Sequence, residues 1–227
     1  MTKNDPNLAN LREVALALGT LTDRVVFLGG AVTGLLLTDP AAAGIRTTMD
    51  VDGVVSANLV EYHAMGDQLR SRGFVQDVES GITCRYKHRD TGLLLDLMPI
   101  DEKVLGFSNP WYQDALDTAT PISLGEGLAI KLIQAPVFIA TKLAAWEGRG
   151  NGDLLGSHDV EDILTVIDGR PELPQEVKGC RGELRAAIQH GLRALERHRD
   201  WSDMAGMLAD PERAQTVQER IDEIHRA

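Results

Sequence analysis

Apolar residues recur at Leu8, Leu11, Val14, Ala15 and Leu18 with helical spacing and stop at Gly19. This predicts a first helix, begun by Asn4-Asp5-Pro6, that covers one face of a sheet. The four-residue apolar run Val25 to Leu28 reads as a buried strand and breaks at Gly29-Gly30, where a side chain would block close backbone approach. An apolar helix from Ala31 to about Leu37 and a Pro/Ala/Gly loop at Thr38 to Gly44 lead into a second strand, Thr48 to Val55. Ser56 or Asn58 caps the next helix, in which Leu59, Tyr62, His63, Met65, Gly66 and Leu69 mark an inward stripe.

Two apolar runs, Ile82 to Lys87 and Leu93 to Met98, flank His88-Arg89-Asp90-Thr91-Gly92 and read as an antiparallel hairpin. The stretch from Glu102 to Thr120 is irregular, with Trp111 and Tyr112 as covering residues. Ile122 to Leu124 is expected as a short final strand leading into a helical half. There, a helix starting at Pro136 carries Phe138, Ile139, Leu143 and Trp146 at helical spacing, and helices follow over about 182–199 and 211–226. The pattern implies an α+β chain with an α/β core over residues 1–125 and a helical C-terminal region over 126–227.

Three features of this pattern carry chemistry. Successive strand residues point to opposite faces, so Asp50 and Asp52 share one face. Two like charges held that close repel unless a cation lies between them, and Mg²⁺, a hard ion taking carboxylate and phosphate oxygens, meets that need. Asp96 stands inside the apolar run LLLDLMPID, where a carboxylate is costly unless paired or bound to metal. It is a metal ligand, or it pairs with Arg85 across the hairpin. Lys142 interrupts the apolar face of its helix.

Charge narrows the partners. Lys+Arg total 23 against Asp+Glu 34, a formal net charge of -11, so a nucleic-acid partner would need a local basic patch. Such clusters occur at Arg85, Lys87, His88 and Arg89, and again from Arg181 to Arg199. Cys84 and Cys180 offer neither metal-ligand spacing nor a disulfide framework. No apolar run approaches the length of a membrane span, and a cytoplasmic protein with no membrane partner is expected.

Across residues 22 to 170 the chain resembles the DNA polymerase β-like nucleotidyltransferase superfamily, whose signature is a Gly-Gly or Gly-Ser turn opening a helix and then an Asp-x-Asp strand. It resembles more closely the AbiEii-type nucleotidyltransferases, toxin components of bacterial abortive-infection and toxin–antitoxin pairs. Their Arg-x-Thr-x-Asp-x-Asp pattern stands here as Arg46, Thr48, Asp50 and Asp52. Their Lys-x-x-Ala…Arg segment stands as Lys142, Ala145 and Arg149, and their Lys-Asp-x-x-Asp segment as His158, Asp159 and Asp162, with histidine in place of the basic residue.

The resemblance implies a small mixed sheet flanked by helices and a metal-dependent transfer of a nucleoside monophosphate from an NTP to an acceptor. Asp50, Asp52 and Asp96 would hold two Mg²⁺ or Mn²⁺ ions, with Asp96 taking the acceptor proton. Gly29, Gly30, Arg46, Thr48, Lys142 and Arg149 would bind the nucleotide, Lys142 at the β- or γ-phosphate, and Asp159 would orient Lys142 or the acceptor. The implied acceptor is an RNA end, tRNA above all, and a cognate antitoxin is an implied partner. Two other classes stay open: a small-molecule adenylyltransferase of antibiotic type, and a non-catalytic nucleotide-binding regulator.

Overall fold

The computed structural model describes residues 5–42, 44–149 and 153–227, the side chain of Arg149 excepted. Seven strands run β1 (Val26–Leu28), β2 (Asp50–Val55), β3 (Phe74–Gln76), β4 (Arg85–His88), β5 (Leu94–Pro99), β6 (Thr120–Gly125) and β7 (Leu128–Leu132). They form one mixed sheet in the order β3-β4-β5-β2-β1-β7-β6. The helices are α1 (Leu8–Leu18), α2 (Thr33–Leu36), α3 (Leu59–Ser71), α4 (Glu102–Leu105), α5 (Tyr112–Thr118), α6 (Ala135–Arg149), α7 (His158–Gly169), α8 (Leu173–Gly179), α9 (Gly182–Glu196) and α10 (Ala214–Arg226). The expected α+β class is what the chain adopts.

The chain divides into two compact units. One takes Pro6–Val32 and Thr47–Gln134 and contains the whole sheet. The other gathers Thr33–Arg46 with Ala135–Ala227 and is helical. The sheet therefore continues past residue 125: β6 turns through Gly125-Glu126-Gly127, all at positive φ, into β7, which pairs parallel with β1. The strand expected to be last is thus followed by another, and α2 with its loop groups with the C-terminal helices.

In the sheet unit, α1 ends at Gly19 as its apolar spacing requires, and Leu11, Val14, Ala15 and Leu18 are buried. Its start differs from expectation. The N-cap is Asn7, whose side chain makes no capping bond because its Oδ1 accepts instead from the Thr48 backbone N–H at 2.9 Å. Helix α3 is closed by a reciprocal capping box between Asn58 and Glu61. Its buried stripe is narrower than expected. Tyr62, Met65 and Leu69 face inward, whereas Leu59 and His63 are exposed. The hairpin of β4 and β5 forms antiparallel as expected, and β3 extends it. Short helices α4, capped by Asp101, and α5 occupy the stretch expected to be irregular.

In the helical unit, the last turn of α7 is an anchoring point. The Gly169 carbonyl accepts from the N–H groups of Thr38 and Asp39 at 2.9 and 3.0 Å. Arg213 binds the Asp168 and Asp39 carboxylates at 2.6 and 2.7 Å. The Ala41 backbone N–H and then Arg213 hold the Asp39 carboxyl below the usual carboxylate range. The apolar helix expected over 31–37 is a 3₁₀ turn, Gly30–Val32, followed by the single turn of α2, Thr33–Leu36.

The capping box gives a direct test of the α3 start. Asn58→Ala should lower stability by about 1 kcal/mol, and Asn58→Gly by only a few tenths. For a chain of this size, the alanine variant's Tm should fall by about 2–4 °C. Equal losses for alanine and glycine would show that the side-chain oxygen is not what holds the helix end.

Candidate active site

The carboxylate face is built by register. Strands β2 and β5 pair parallel with Asp50 opposite Leu94 and Asp52 opposite Asp96. Strands β4 and β5 pair antiparallel with Arg85 opposite Asp96 and Lys87 opposite Leu94. Cross-strand partners point to the same side of a sheet, so Asp50, Asp52, Asp96, Arg85 and Lys87 share one face. The alternate residues Val51, Leu95 and Tyr86 are buried on the other.

Arg85 lies across this face. Its Nε donates to Asp96 Oδ1 at 2.8 Å and its Nη2 to Asp96 Oδ2 at 2.7 Å, a two-pronged contact. The same Nη2 also binds Asp50 Oδ2. The hydrogen bonds to Asp96, and then the charges of Asp96, Asp50 and Asp52, hold the guanidinium's pKa above its ordinary value although burial opposes them. Of the two readings of Asp96, pairing with Arg85 is therefore the contact present. Next to it, burial first and then the charges of Asp96 and Asp52 push the Cys84 thiol up to about 12.

Asp52 is set by the glycine turn. Gly29 has φ +74, and a Cβ built on it would lie 1.9 Å from Asp52 Oδ2 and 2.6 Å from its Cγ. The missing side chain is what lets the carboxylate lean on the turn after β1. Thr48 is buried, with its hydroxyl donating to the Asp50 carbonyl at 3.0 Å, so it supports the entry to β2.

Hard-oxygen donors suit Mg²⁺, and Asp50, whose side chain is 32% exposed, with Asp52 on the glycine turn are suited to hold one ion. Asp96 does not fit a second ion as the chain stands, because both of its oxygens accept from Arg85. Among the described residues, no three His, Cys, Asp or Glu side chains converge as a metal-ligand group.

The helical unit brings the other sequence-selected residues together. Lys142, on α6, is buried at 9% exposure and binds Asp159 Oδ1 at 3.0 Å and Asp162 Oδ2 at 2.7 Å, both on α7. Residues three apart on a helix share a face, which aims both carboxylates at the one ammonium. Asp162 also accepts from Arg46 Nη2 at 3.1 Å, and Glu161 lies 3.8 Å from Arg46 Nε. Asp162, 2% exposed, is therefore the hub; its i,i+3 spacing from Asp159 gives the shared face, whereas its burial comes from packing. His158 is exposed and meets Glu161. The Arg149 side chain lies outside the described residues.

The two basic clusters are only partly free. Arg85 is committed to carboxylates, and His88 packs edge-on against Phe74 at 5.0 Å. Lys87 and Arg89 remain exposed. On α9, Arg185 donates to the Lys178 carbonyl and Arg193 is exposed; beyond the helix, Arg197 and Arg199 are exposed, Arg199 beside Asp200.

Neither a protein-family model nor a curated protein sequence matches the chain. Among solved structures it is similar to an antigenic nucleotidyltransferase-like protein from Paracoccidioides brasiliensis, at 25% identity and TM-score 0.52, over 91% of this chain and 93% of that one. It is also similar to JHP933 from Helicobacter pylori, a likeness of fold alone at 12% identity and TM-score 0.51, over 97% of this chain and 92% of that one. The α+β architecture built on this seven-stranded mixed sheet is a nucleotidyltransferase-like fold.

Proposed function

We propose that this chain is an AbiEii-type nucleotidyltransferase that moves a nucleoside monophosphate from an NTP to an RNA end, with tRNA as the foremost candidate. The observation that carries this reading is the placement of Asp50, Asp52 and Asp96 on one face of paired strands β2 and β5, beside a glycine turn shaped around Asp52, in a nucleotidyltransferase-like fold. Its proposed setting is the cytoplasm with a cognate antitoxin. No helix among the described residues is long and apolar enough to cross a membrane.

Within this reading, Asp50 and Asp52 hold a Mg²⁺ or Mn²⁺ ion, which when bound would neutralise charge on the triphosphate. Backbone N–H groups at Gly29-Gly30 would receive triphosphate oxygens beside the Asp52 carboxylate that takes the place of a Gly29 side chain. Lys142, held by Asp159 and Asp162, presents a positioned cation for a β- or γ-phosphate. Arg46, fixed by Asp162, supports that arrangement. Lys87 and Arg89, exposed on the β4 strand and its turn, supply the local positive surface that an acidic chain needs to meet RNA.

One observation favours a second reading, a nucleotide-binding regulator without transfer activity. Repelling carboxylates kept together would argue for catalysis, but Arg85 already relieves the repulsion between Asp50 and Asp96. Labelled NTPs incubated with the protein, Mg²⁺ or Mn²⁺ and total RNA separate the two: incorporation into RNA supports transfer, and nucleotide binding without incorporation supports the regulator.

Asp52→Asn should reduce transfer by at least about 100-fold while the chain stays folded, since it removes a metal ligand but keeps the side chain's shape. Near wild-type turnover would remove Asp52 from the chemistry. Lys142→Ala should weaken triphosphate binding much more than monophosphate binding, and equal losses in calorimetric titration would make Lys142 a structural lysine. RNA labelling should fall with salt, with a log-log slope of about -0.7 per phosphate neutralised. It should also fall when Lys87 and Arg89 are both changed to Ala. A flat salt response with an unaffected double variant would exclude this RNA surface.

A further inference from the structure

We propose that the Arg85 guanidinium stands in for one of two metal ions at the carboxylate face, so that Asp50, Asp52 and Asp96 together take a single divalent cation, on Asp50 and Asp52. The inference rests on the nucleotidyltransferase reading and departs from the two-ion arrangement that reading would otherwise carry. It begins from placement. Arg85 and Asp96 are direct cross-strand partners on adjacent antiparallel strands, so the guanidinium is delivered to the carboxylate by the sheet itself. Both prongs are engaged, at 2.8 and 2.7 Å, and the two side chains are 14% and 11% exposed. Because Nη2 also binds Asp50, the guanidinium charge is shared between Asp50 and Asp96, the two carboxylates that would otherwise hold a second ion.

Charge gives the same count. Lys87 shares the face but is exposed and screened by solvent, so the less exposed groups, three carboxylates and one guanidinium, leave two formal negative charges, which one divalent cation balances. A second would leave the face positive and would sit against a guanidinium that cannot lose its proton near neutral pH. The remaining oxygens suit one ion. Asp52 leans on the Gly29 backbone, on the side away from Arg85 in the order β4-β5-β2-β1, and Asp50 is partly open to solvent. The absence of a converging three-ligand group among the described residues agrees with this, because Asp96 is turned to Arg85.

The test counts ions. The full chain is titrated with Mn²⁺, alone and with a non-hydrolysable NTP analogue, and followed by electron paramagnetic resonance. Two Mn²⁺ ions about 3.5–4 Å apart couple magnetically and are distinguishable from isolated ones. The wild type should show isolated Mn²⁺ with no coupled pair. Asp52→Asn should lose it, and Arg85→Gln should admit a second ion and a coupled signal. A coupled pair in the wild type, or no bound Mn²⁺ at all, would overturn the proposal. If Arg85→Gln fails to fold, the wild-type and Asp52→Asn results still decide. An isolated Mn²⁺ without nucleotide transfer would sink the transferase reading and keep this one, whereas a coupled pair with transfer would do the reverse.

Discussion

Like charge on one sheet face is the constraint around which this structure is arranged. The register of β2 against β5 brings Asp50, Asp52 and Asp96 to the same side, and nothing apolar can relieve their repulsion. The sheet answers with Arg85 on the next strand, opposite Asp96 and in reach of Asp50. Removing one member of such a buried pair costs about 3–5 kcal/mol, because the partner's charge stays behind without compensation. Arg85 is thereby tied to the carboxylates, and Cys84 beside them is held as a neutral thiol.

The helical unit solves a related problem with the signs arranged differently. Lys142 and Arg46 are cations inserted among the acids Asp159, Glu161 and Asp162, and each buried charge there has an opposite neighbour. Lys142 also lies 5.7 Å from the centre of the Phe138 ring, on whose face a cation is attracted. Paired carboxylates and a ring face on one ammonium fix the position of Lys142 in the helical unit.

Much of this could be read from residue order, for reasons that differ by element. Asp50 and Asp52 were legible because strand periodicity alone puts them on one face. Asp96 was legible because a carboxylate in an apolar run demands a partner. That Arg85 would bridge to Asp50 as well was not legible, since it depends on β4, β5 and β2 being neighbours in that order. Strand β7 was hidden for another reason: its five residues, LAIKL, carry little pattern, although Gly125-Glu126-Gly127 joins it to β6 as a hairpin, and only its parallel pairing with β1 reaches a distant part of the chain. The Gly29 turn showed that close approach was needed, but not that Asp52 was the group approaching. Asp162 was outweighed by Asp159 because burial, which separates them, is not written in their spacing.

The nested chain path has a consequence for how the protein comes into being during synthesis. Strand β1 waits for β7 to give it a parallel neighbour, and pairings between distant segments form late because loop-closure entropy must be overcome before they contribute. The loop after α2 waits longer still. The Gly169 carbonyl that receives Thr38 and Asp39 is made after the whole sheet, and the Arg213 that holds Asp39 follows that residue by 174 positions. A chain that has already displayed Asp50 and Asp52 therefore still lacks the anchor for the segment leading into them.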